Sequence, residues 1–348
     1  MSVLVVMPAL NEAPFIATAV GQLMESVPDL DITLVVADGG STDGTRGIVT
    51  ELSRRDPRIR LLDNPGRTQS RGVNLAVQLA DDDVDVVVRT DCHAEYPPGF
   101  LRRVVEGLRA LREQGCVSVV VPMVADGETA FQHAVAATQN SLLGNGGSAH
   151  RRLGESRYVD HGHHAAFDRH AFVRAGGYDP RMMHNEDAEL DVRLVRGGGR
   201  IFLDTGAAIT YFPRRNWRTL ARQQYNHGRG RAWNTVKHRT RPRLRQIAPA
   251  AVTALNAACL LAAGRSRSTL VAPLAYAGAC VAVGARTATQ ERDPRLLLMG
   301  PIAMLTHHAW GTGFLGGLVR HPDFTRAPAV GATGTLTGVP GAPGVHVA

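Results

Sequence analysis

The sequence predicts an α/β fold: a Rossmann-like, mostly parallel sheet with helices on both faces, followed by a C-terminal helical region that associates with a membrane. Three observations predict it. Short apolar runs alternate with helix-period segments up to residue 121, polar loops follow several of these runs, and three later stretches contain no Asp, Glu, Lys or Arg. The chain has 348 residues, and single cores usually stop growing at roughly 250 to 300, so we expect more than one region.

The predicted strands are short apolar runs bounded by turn residues, at 3–7, 32–37, 59–62, 84–88 and 117–121. Segments whose apolar residues recur at helical spacing lie between them, at 13–24, 45–54, 68–79 and 99–114. This alternation implies helical crossovers between parallel strands. Such sheets bind ligands beyond the carboxyl ends of their strands, so the loops at those ends are the first candidates for a site.

The composition limits the class of protein. Hydrophobic residues make up 44% and charged residues 20% of the chain, which excludes wholesale disorder. The net charge of +8 indicates attraction to polyanions, namely nucleic acid, anionic lipid headgroups or a diphosphate substrate. Four cysteines without CxxC spacing indicate neither a zinc site nor a disulfide framework and fit a reducing compartment. The first apolar run lacks a basic segment before it and is only as long as a strand, so we expect no secretory signal and a cytoplasmic N-terminal domain.

Two polar loops follow the first two predicted strands. Pro8, Leu10 and Glu12 lie in the loop after the first strand, and Asp38 opens a Gly-rich turn after the second. A carboxylate in that place can accept hydrogen bonds from a nucleotide base or ribose. The same residue types also favour tight turns and helix N-termini without any ligand, so both interpretations stay open.

A third loop, Asp91-Cys92-His93, follows the fourth predicted strand. Asp91 and His93 lie on the same side of an extended segment because side chains alternate with a period of two, and they offer two ligands to a divalent cation. A metal there would neutralise the charge that grows on a departing diphosphate. The alternative is a helix cap.

The densest polar run extends from residue 158 to residue 204. Glu186 and Asp187 precede a helical segment, so they are either first-turn acids favoured by the helix dipole or acids that face a pocket. An acid facing a pocket could take the proton from a hydroxyl that attacks the anomeric carbon of a sugar. Histidines at 161–164 have no second ligand cluster at suitable spacing, so a zinc site is not favoured.

The composition changes after a first domain of residues 1–213. The segment 214–245 contains ten arginines and Lys237 with aromatic residues between them, which predicts a basic interfacial segment. The region 246–320 contains charge-free stretches of 19, 18 and 24 residues, against roughly 20 needed to cross a bilayer, at 246–264, 268–285 and 296–319. Because they are rich in Ala and Gly, a soluble helical bundle is the alternative to membrane helices. Residues 321–348 lack periodicity and are predicted to be a disordered tail.

Four motifs together resemble those of family 2 glycosyltransferases with a GT-A fold: residues 8–12, residues 38–45, the triplet Asp91-Cys92-His93, and Gly177-Tyr178 followed by Asn185-Glu186-Asp187. The resemblance covers roughly residues 1–235. Through residues 90–97 it is closest to the succinoglycan biosynthesis ExoA-like branch of that family.

The resemblance implies a role for each candidate residue. Those that bind the nucleotide-sugar are Pro8, Leu10, Glu12, Asp38, Asp91 and Glu186. Asp91 and His93 would hold Mg²⁺ or Mn²⁺ on the diphosphate, and Asp187 would be the general base. The family usually has Asp where this chain has His93, which puts the metal role of His93 in doubt.

The resemblance also implies an activity. With Asp187 as base, a single in-line displacement inverts the anomeric carbon and converts an α-linked donor into a β-linkage. We expect a nucleotide-diphosphate donor, a UDP-sugar above others, and a lipid-linked or glycan acceptor in cell-surface polysaccharide synthesis. A loose resemblance to the Gln-x-x-Arg-Trp element of processive relatives lies in Gln223-Gln224-Tyr225 with Gly228-Arg229-Gly230-Arg231-Ala232-Trp233, although the same stretch could lie on anionic lipid.

Other functions remain as alternatives. A polyprenyl-phosphate glycosyltransferase would use a lipid phosphate as acceptor. An NAD-dependent enzyme is disfavoured because no G-x-G-x-x-G follows the first strand. Nucleic-acid binding through the basic segment leaves Asp38, Asp91 and Asp187 unexplained, since they would repel a polyanion, so we expect no nucleic-acid partner.

Overall fold

The computed structural model describes residues 1–25, 27, 29–146, 154–325, 335–337 and 345–346. These residues form two compact units. The first comprises Met1–Met123, Leu153–Thr210 and Thr325–Ala348, and the second comprises Val124–Arg152 and Tyr211–Phe324. The segment 124–152, predicted as part of a first domain of residues 1–213, is grouped with the second unit.

Thirteen strands are present in the described residues: β1 (Ser2–Ala9), β2 (Ile32–Asp38), β3 (Ile59–Asp63), β4 (Val84–Arg89), β5 (Ala94–Glu95), β6 (Cys116–Val121), β7 (Met123–Ala125), β8 (Arg157–Val159), β9 (His163–Asp168), β10 (Arg200–Leu203), β11 (Ile209–Tyr211), β12 (Thr335–Thr337) and β13 (Val345–His346).

The α-helices of the described residues are α1 (Ile16–Met24), α2 (Thr45–Arg55), α3 (Gln69–Gln78), α4 (Phe100–Leu111), α5 (Ala130–Asn140), α6 (Leu142–Asn145), α7 (Arg169–Arg174), α8 (Glu186–Arg196), α9 (Trp217–His238), α10 (Leu244–Ala262), α11 (Val271–Glu291) and α12 (Met299–Val319). Short 3₁₀ segments lie at Arg112–Gln114, Thr205–Ala207, Arg267–Leu270 and Pro294–Leu298. All five strands and four helices predicted before residue 121 are confirmed, with ends that differ by a few residues.

The first unit is built on one sheet, ordered β13-β12-β3-β2-β1-β4-β9-β6-β10-β8. β1 pairs in parallel with β2 and β4, and β2 pairs in parallel with β3. These strands are nearly continuous apolar runs because both faces of a parallel sheet are covered. The predicted parallel arrangement and its two covered faces are therefore confirmed for this half of the sheet.

The other half departs from the predicted parallel pattern. β9 lies between β4 and β6 and runs antiparallel to both. The sequence shows no helix-period segment directly before β9 that could act as a crossover, and an antiparallel neighbour needs none. The consequence for the site is direct: because β9 is antiparallel, its first residue, His163, lies at the edge where β4 ends.

Two cores lie on opposite faces of the sheet. Val5 and Met7 of β1 contribute to one, with α1 and α4, whereas Leu4 and Val6 contribute to the other, with α3, α7 and α8. Alternate side chains of a strand point to opposite faces, so a single buried strand supplies both cores.

The second unit is helical, and glycines let its helices approach closely. A Cβ added to Gly228 of α9 would lie 2.0 Å from the carbonyl oxygen of Trp310 in α12, and one added to Gly313 of α12 would lie 2.0 Å from that of Tyr225. Small residues at such crossings allow backbone contact that larger side chains forbid. The Gly content that weakened the membrane prediction therefore serves the packing of α12 against α9.

Two helical segments of the described residues are long and apolar enough to cross a membrane, Leu244–Ala262 and Arg267–Glu291. They correspond to the first two predicted stretches, and they expose leucines such as Leu260, Leu261 and Leu274. The third stretch forms α12, much of which is buried within the second unit.

The predicted disordered tail, 321–348, lies largely outside the described residues. Within it, β12 pairs antiparallel with β3, and β13 pairs with β12, so these two short strands do not follow the prediction of disorder.

Candidate active site

The loops after β1 and β2 are joined by hydrogen bonds at the carboxyl edge of the sheet. The backbone N–H of Asn11 donates to Ser41 Oγ at 2.8 Å, and the N–H of Thr42 donates to Asn11 Oδ1 at 2.9 Å. The N–H of Glu12 donates to Thr45 Oγ1 at 2.9 Å. Asn11 itself adopts a left-handed conformation with φ of 58°, which Asn tolerates better than most residues. The two predicted nucleotide loops therefore form one structural element.

Asp38 is buried at the end of β2 and is held by its own turn. Its Oδ2 accepts hydrogen bonds from the N–H groups of Gly40 at 3.0 Å and Ser41 at 3.1 Å, and from Arg46 Nη1 at 2.8 Å. Burial opposes ionisation of Asp38, but the hydrogen bonds from Ser41 and Arg46 outweigh it and lower its pKa. The structure therefore agrees with both interpretations of Asp38. The carboxylate stabilises its own turn, and it is ionised at the carboxyl edge of the sheet, where it could also bind a ligand.

Pro8, Leu10 and Glu12 line the adjoining loop. Leu10 is exposed, whereas the Pro8 carbonyl oxygen accepts a hydrogen bond from Cys92 Sγ at 3.4 Å. Glu12 Oε1 lies 3.1 Å from His93 Nδ1. The predicted nucleotide loop and the predicted metal triplet are thus in contact.

Asp91 and His93 have different partners. Asp91 Oδ1 accepts a hydrogen bond from Arg89 Nη2 at 3.1 Å, and its Oδ2 lies 3.3 Å from His163 Nε2, while His93 contacts Glu12. Burial opposes ionisation of Asp91, but the charge of Arg89 and the hydrogen bond from His163 outweigh it and lower its pKa. Among the described residues no group of three or more His, Cys, Asp or Glu side chains is arranged to hold a metal ion.

Asp187 lies in the first turn of α8 and is tied to the end of β4. Arg89 Nη1 donates to Asp187 Oδ1 at 2.6 Å, and Tyr178 Oη donates to the same oxygen at 3.2 Å. Asp187 Oδ2 lies 3.8 Å from His163 Nδ1. The predicted base and the predicted metal carboxylate, Asp91, are therefore brought together through shared neighbours.

Glu186 precedes Asp187 and is buried beside it. Burial and the negative charge of Asp187 raise its pKa to about 7, although the Arg89 guanidinium opposes the shift. At neutral pH a group with this pKa exchanges a proton readily. The site therefore contains one carboxyl near its point of half-ionisation, with Arg89 Nη1 3.8 Å from its Oε1, beside two carboxylates that accept hydrogen bonds from Arg89.

Two histidines of the polar run lie beside carboxylates in the described residues. His161 Nδ1 lies 2.7 Å from Asp191 Oδ2, and His163 lies between Asp91 and Asp187. The side chain of His164 lies outside the described residues.

Several site residues were missed by sequence reasoning, namely Arg89, Gln69, His163 as a bridging group, and Tyr178 as a donor to Asp187. One signal could have identified Arg89: a charged residue that ends an otherwise buried apolar strand needs buried partners of opposite charge. The others depend on which distant elements meet and leave no such local signal.

The residues that resemble the Gln-x-x-Arg-Trp element, Gln223 to Trp233, all lie in α9, in the second unit. Gln223 Nε2 donates to Tyr211 Oη at 2.8 Å, and the Arg229 guanidinium lies 5.0 Å from the ring centre of Trp233. Arg229 therefore has an aromatic neighbour in cation–π range.

Residues 4–175 match the family described as Glycosyl transferase family 2. The chain is 43% identical over 329 residues to the succinoglycan biosynthesis protein ExoA of Rhizobium meliloti (strain 1021), covering 94% of this chain and 97% of ExoA. An undecaprenyl-phosphate mannosyltransferase of Micrococcus luteus is 28% identical over 114 residues, covering 31% of this chain and 45% of that protein.

Among solved structures, the mannosyltransferase PcManGT from Pyrobaculum calidifontis, in complex with GDP-Man and Mn²⁺, aligns with a TM-score of 0.61 and 19% identity, covering 91% of this chain and 86% of that one. At this identity the likeness shows a shared fold, which confirms the GT-A architecture that the motifs implied. The ExoA-like resemblance is confirmed over nearly the full length of both chains. With the motifs, the fold and a full-length relative in agreement, the chain belongs to glycosyl transferase family 2 and is a glycosyltransferase.

Proposed function

We propose that this chain is an inverting glycosyltransferase that moves a sugar from a nucleotide-diphosphate donor, a UDP-sugar above others, to a lipid-linked or glycan acceptor in cell-surface polysaccharide synthesis. The observation that carries the proposal is the meeting of Asp91 and Asp187 at one sheet edge, each contacted by Arg89. The relatedness to a succinoglycan biosynthesis protein over 97% of its length supports the polysaccharide context.

The donor is proposed to bind along the joined loops, with its nucleotide against Pro8, Leu10, Glu12 and Asp38 and with Glu186 close to the sugar. Asp38 is ionised and lies at the carboxyl edge of the sheet, where it can accept hydrogen bonds from a ribose or base. Glu12 and His93 are in contact, so the loop proposed to bind the nucleotide adjoins the triplet proposed to bind the diphosphate.

Asp91 and His93 are proposed to hold Mg²⁺ or Mn²⁺. The donor set fits a metal that arrives with the diphosphate: Asp91 supplies a carboxylate just after β4, and Mg²⁺ is commonly bound by one or two protein carboxylates together with substrate phosphates. When bound, the metal supplies charge neutralisation for the departing diphosphate.

Asp187 is proposed to accept the proton of the acceptor hydroxyl. Its Oδ1 receives hydrogen bonds from Arg89 and Tyr178, which fix the orientation of the carboxylate. A base oriented in this way, within hydrogen-bond reach of the attacking oxygen, needs no covalent enzyme intermediate. Attack on the face opposite the leaving diphosphate would then invert the anomeric carbon.

The second unit is proposed to attach the protein to the cell membrane, with the catalytic unit in the cytoplasm. Its α10 and α11 are long and apolar enough to span a bilayer and expose their leucines. The ten arginines of 214–245 would favour anionic lipid headgroups. Partition of the full chain into the membrane fraction after a high-salt wash tests this, and release by salt alone would exclude spanning helices.

A polyprenyl-phosphate acceptor is the second candidate. It is supported by the 28% identity to an undecaprenyl-phosphate mannosyltransferase over 114 residues. A lipid phosphate is already ionised and needs no general base, so the two candidates differ in their dependence on Asp187.

The decisive experiment uses the full chain in detergent with UDP-glucose, UDP-galactose, UDP-N-acetylglucosamine and GDP-mannose, with and without Mn²⁺. We expect metal-dependent binding of one donor that is lost in Asp91→Ala, and binding without turnover in Asp187→Asn. Full turnover of Asp187→Asn with a polyprenyl phosphate would favour the second candidate. Failure to bind any donor would contradict both.

A further inference from the structure

Arg89 is a charged residue at the end of a buried strand. β4 has the sequence VDVVVR, and the side chain of Arg89 is only 6% exposed. Removing a guanidinium from water is unfavourable unless it is paired and hydrogen-bonded. Its burial therefore has to be explained by what its nitrogens contact.

Each terminal nitrogen of Arg89 contacts a different part of the site. Nη1 donates to Asp187 Oδ1 at 2.6 Å, whereas Nη2 donates to Asp91 Oδ1 at 3.1 Å and to Gln69 Oε1 at 3.0 Å. The guanidinium is planar, so the separation and the direction of Nη1 and Nη2 are fixed. One rigid group thus sets the distance between two carboxylates that come from separate elements.

Neighbouring groups restrict the arrangement further. Gln69, at the start of α3, fixes the rotation of the guanidinium by accepting from Nη2. Tyr178 donates to the same Asp187 oxygen as Arg89, and His163 lies beside the second oxygen of Asp91. Charge neutralisation alone would not require this set of directed contacts.

We infer that Arg89 is a positioning residue that fixes the proposed proton acceptor, Asp187, at a set distance from the carboxylate proposed for the diphosphate side, Asp91. The inference rests on the proposed function. Arg89 touches neither donor nor acceptor in this role and acts through the two carboxylates. A lysine keeps the positive charge but offers a single nitrogen, so it cannot hold both carboxylates in this geometry.

The test compares Arg89→Lys, Asp187→Asn and the double variant Arg89→Lys/Asp187→Asn in the full chain. Arg109→Lys is the matched control, because Arg109 pairs with Asp85 at the opposite end of the same strand, through Nη2 at 2.6 Å and Nε at 3.1 Å. Turnover, donor KM, donor binding and melting temperature are measured for each variant.

We expect Arg89→Lys to lower kcat about 100-fold with a smaller change in donor KM, since a misplacement of about 1 Å can cost that much. Arg109→Lys should change kcat less than about twofold while shifting the melting temperature comparably, as a structural ion pair would. The double variant should turn over no more slowly than Asp187→Asn alone, because residues that act as one unit are not additive.

The inference is overturned if Arg89→Lys lowers only the melting temperature, or if its effect on kcat multiplies with that of Asp187→Asn. A different result marks failure of the proposed function: Asp187→Asn itself would then turn over like the wild type. If Arg89→Lys does not fold, Gln69→Met replaces it, since it removes one of the two acceptors of Arg89 Nη2 and leaves the other, Asp91, in place. A kcat about tenfold lower with donor binding retained is expected for Gln69→Met, and an unchanged kcat overturns the inference.

Discussion

Two carboxylate sites flank β1 at the same edge of the sheet, and they are held in different ways. Asp38, at the end of β2, accepts hydrogen bonds from the N–H groups of Gly40 and Ser41 and from Arg46, eight residues along the chain. Asp91, just after β4, belongs to a cluster with Arg89, His163 and Asp187, and the Arg89–Asp187 contact joins residues 98 positions apart.

The difference separates local from tertiary organisation. A short Gly-rich motif can supply its own hydrogen-bond donors, so the contacts of Asp38 are determined by residues close to it in the sequence. The cluster around Asp91 exists only because β4, β9 and α8 meet. We therefore expect substitutions at Asp38 to reduce stability and nucleotide binding, and substitutions at Asp187 to reduce the chemical step.

The largest effect is expected for Asp187→Asn. Because an amide cannot accept the acceptor proton, kcat should fall by about 10²–10⁴, while donor binding changes little. Steady-state turnover together with equilibrium donor binding measures the two parts separately. A parallel loss of donor binding and turnover would instead show that Asp187 binds the donor. Asp187 and Asp38 would then no longer differ in role.

Asp38→Asn should mainly reduce stability. The amide NH₂ of asparagine is itself a donor, so it could not accept the hydrogen bonds that Gly40, Ser41 and Arg46 now give to the carboxylate. Losing a charged hydrogen-bond acceptor costs about 2 kcal/mol, which lowers Tm by about 4–8 °C. Calorimetry of the full chain measures it. Asp63→Asn is the matched control, because it removes only the half-exposed partner of Arg46 and should cost less than about 1 kcal/mol. Equal losses in the two variants would contradict a special role for the turn.

Glu186→Gln should give a smaller, pH-dependent gain in stability. The pKa of Glu186 is raised in the folded state, from 4.5 to about 7. The unfolded chain therefore ionises first as pH rises, so the folded state loses stability between pH 4.5 and about 7, and the loss is complete above pH 7. Glutamine removes this cost, so Tm should rise relative to the wild type at pH 8 and stay unchanged at pH 4. A Tm difference that does not depend on pH would contradict the raised pKa.

The smallest effect is expected for Glu51→Gln on α2. Glu51 pairs with Arg54 and Arg55 in solvent, at 3.4 Å and 2.9 Å. Pairs of this kind contribute about 0–1 kcal/mol, so Tm and kcat should both remain close to the wild type in moderate salt. A large change in Tm or kcat for Glu51→Gln would show that these measurements do not distinguish the loss of a buried contact from the loss of a surface charge.

The chain pattern predicted much of the first unit. Continuous apolar runs identified β1, β2, β3, β4 and β6, because strands buried on both faces leave no polar alternation. The antiparallel insertion of β9 was not predicted, since its short run of mixed His and Ala residues carries no signal of its pairing direction. The glycines of α9 and α12 are similar: the sequence shows them, but only packing shows that Gly228 and Gly313 lie where the two backbones meet.

The sequence by itself determined the α/β class and the segments that carry Asp38, Asp91 and Asp187, because apolar periodicity and turn chemistry are local properties. The resemblance of its motifs to those of family 2 glycosyltransferases indicated the family. Tertiary structure alone decided that Arg89 would join Asp91 to Asp187, that His163 would lie between them, and that Glu186 would be buried near its point of half-ionisation. Those outcomes depend on burial and on distances between remote segments, and a buried charge takes its properties from the groups that folding places around it.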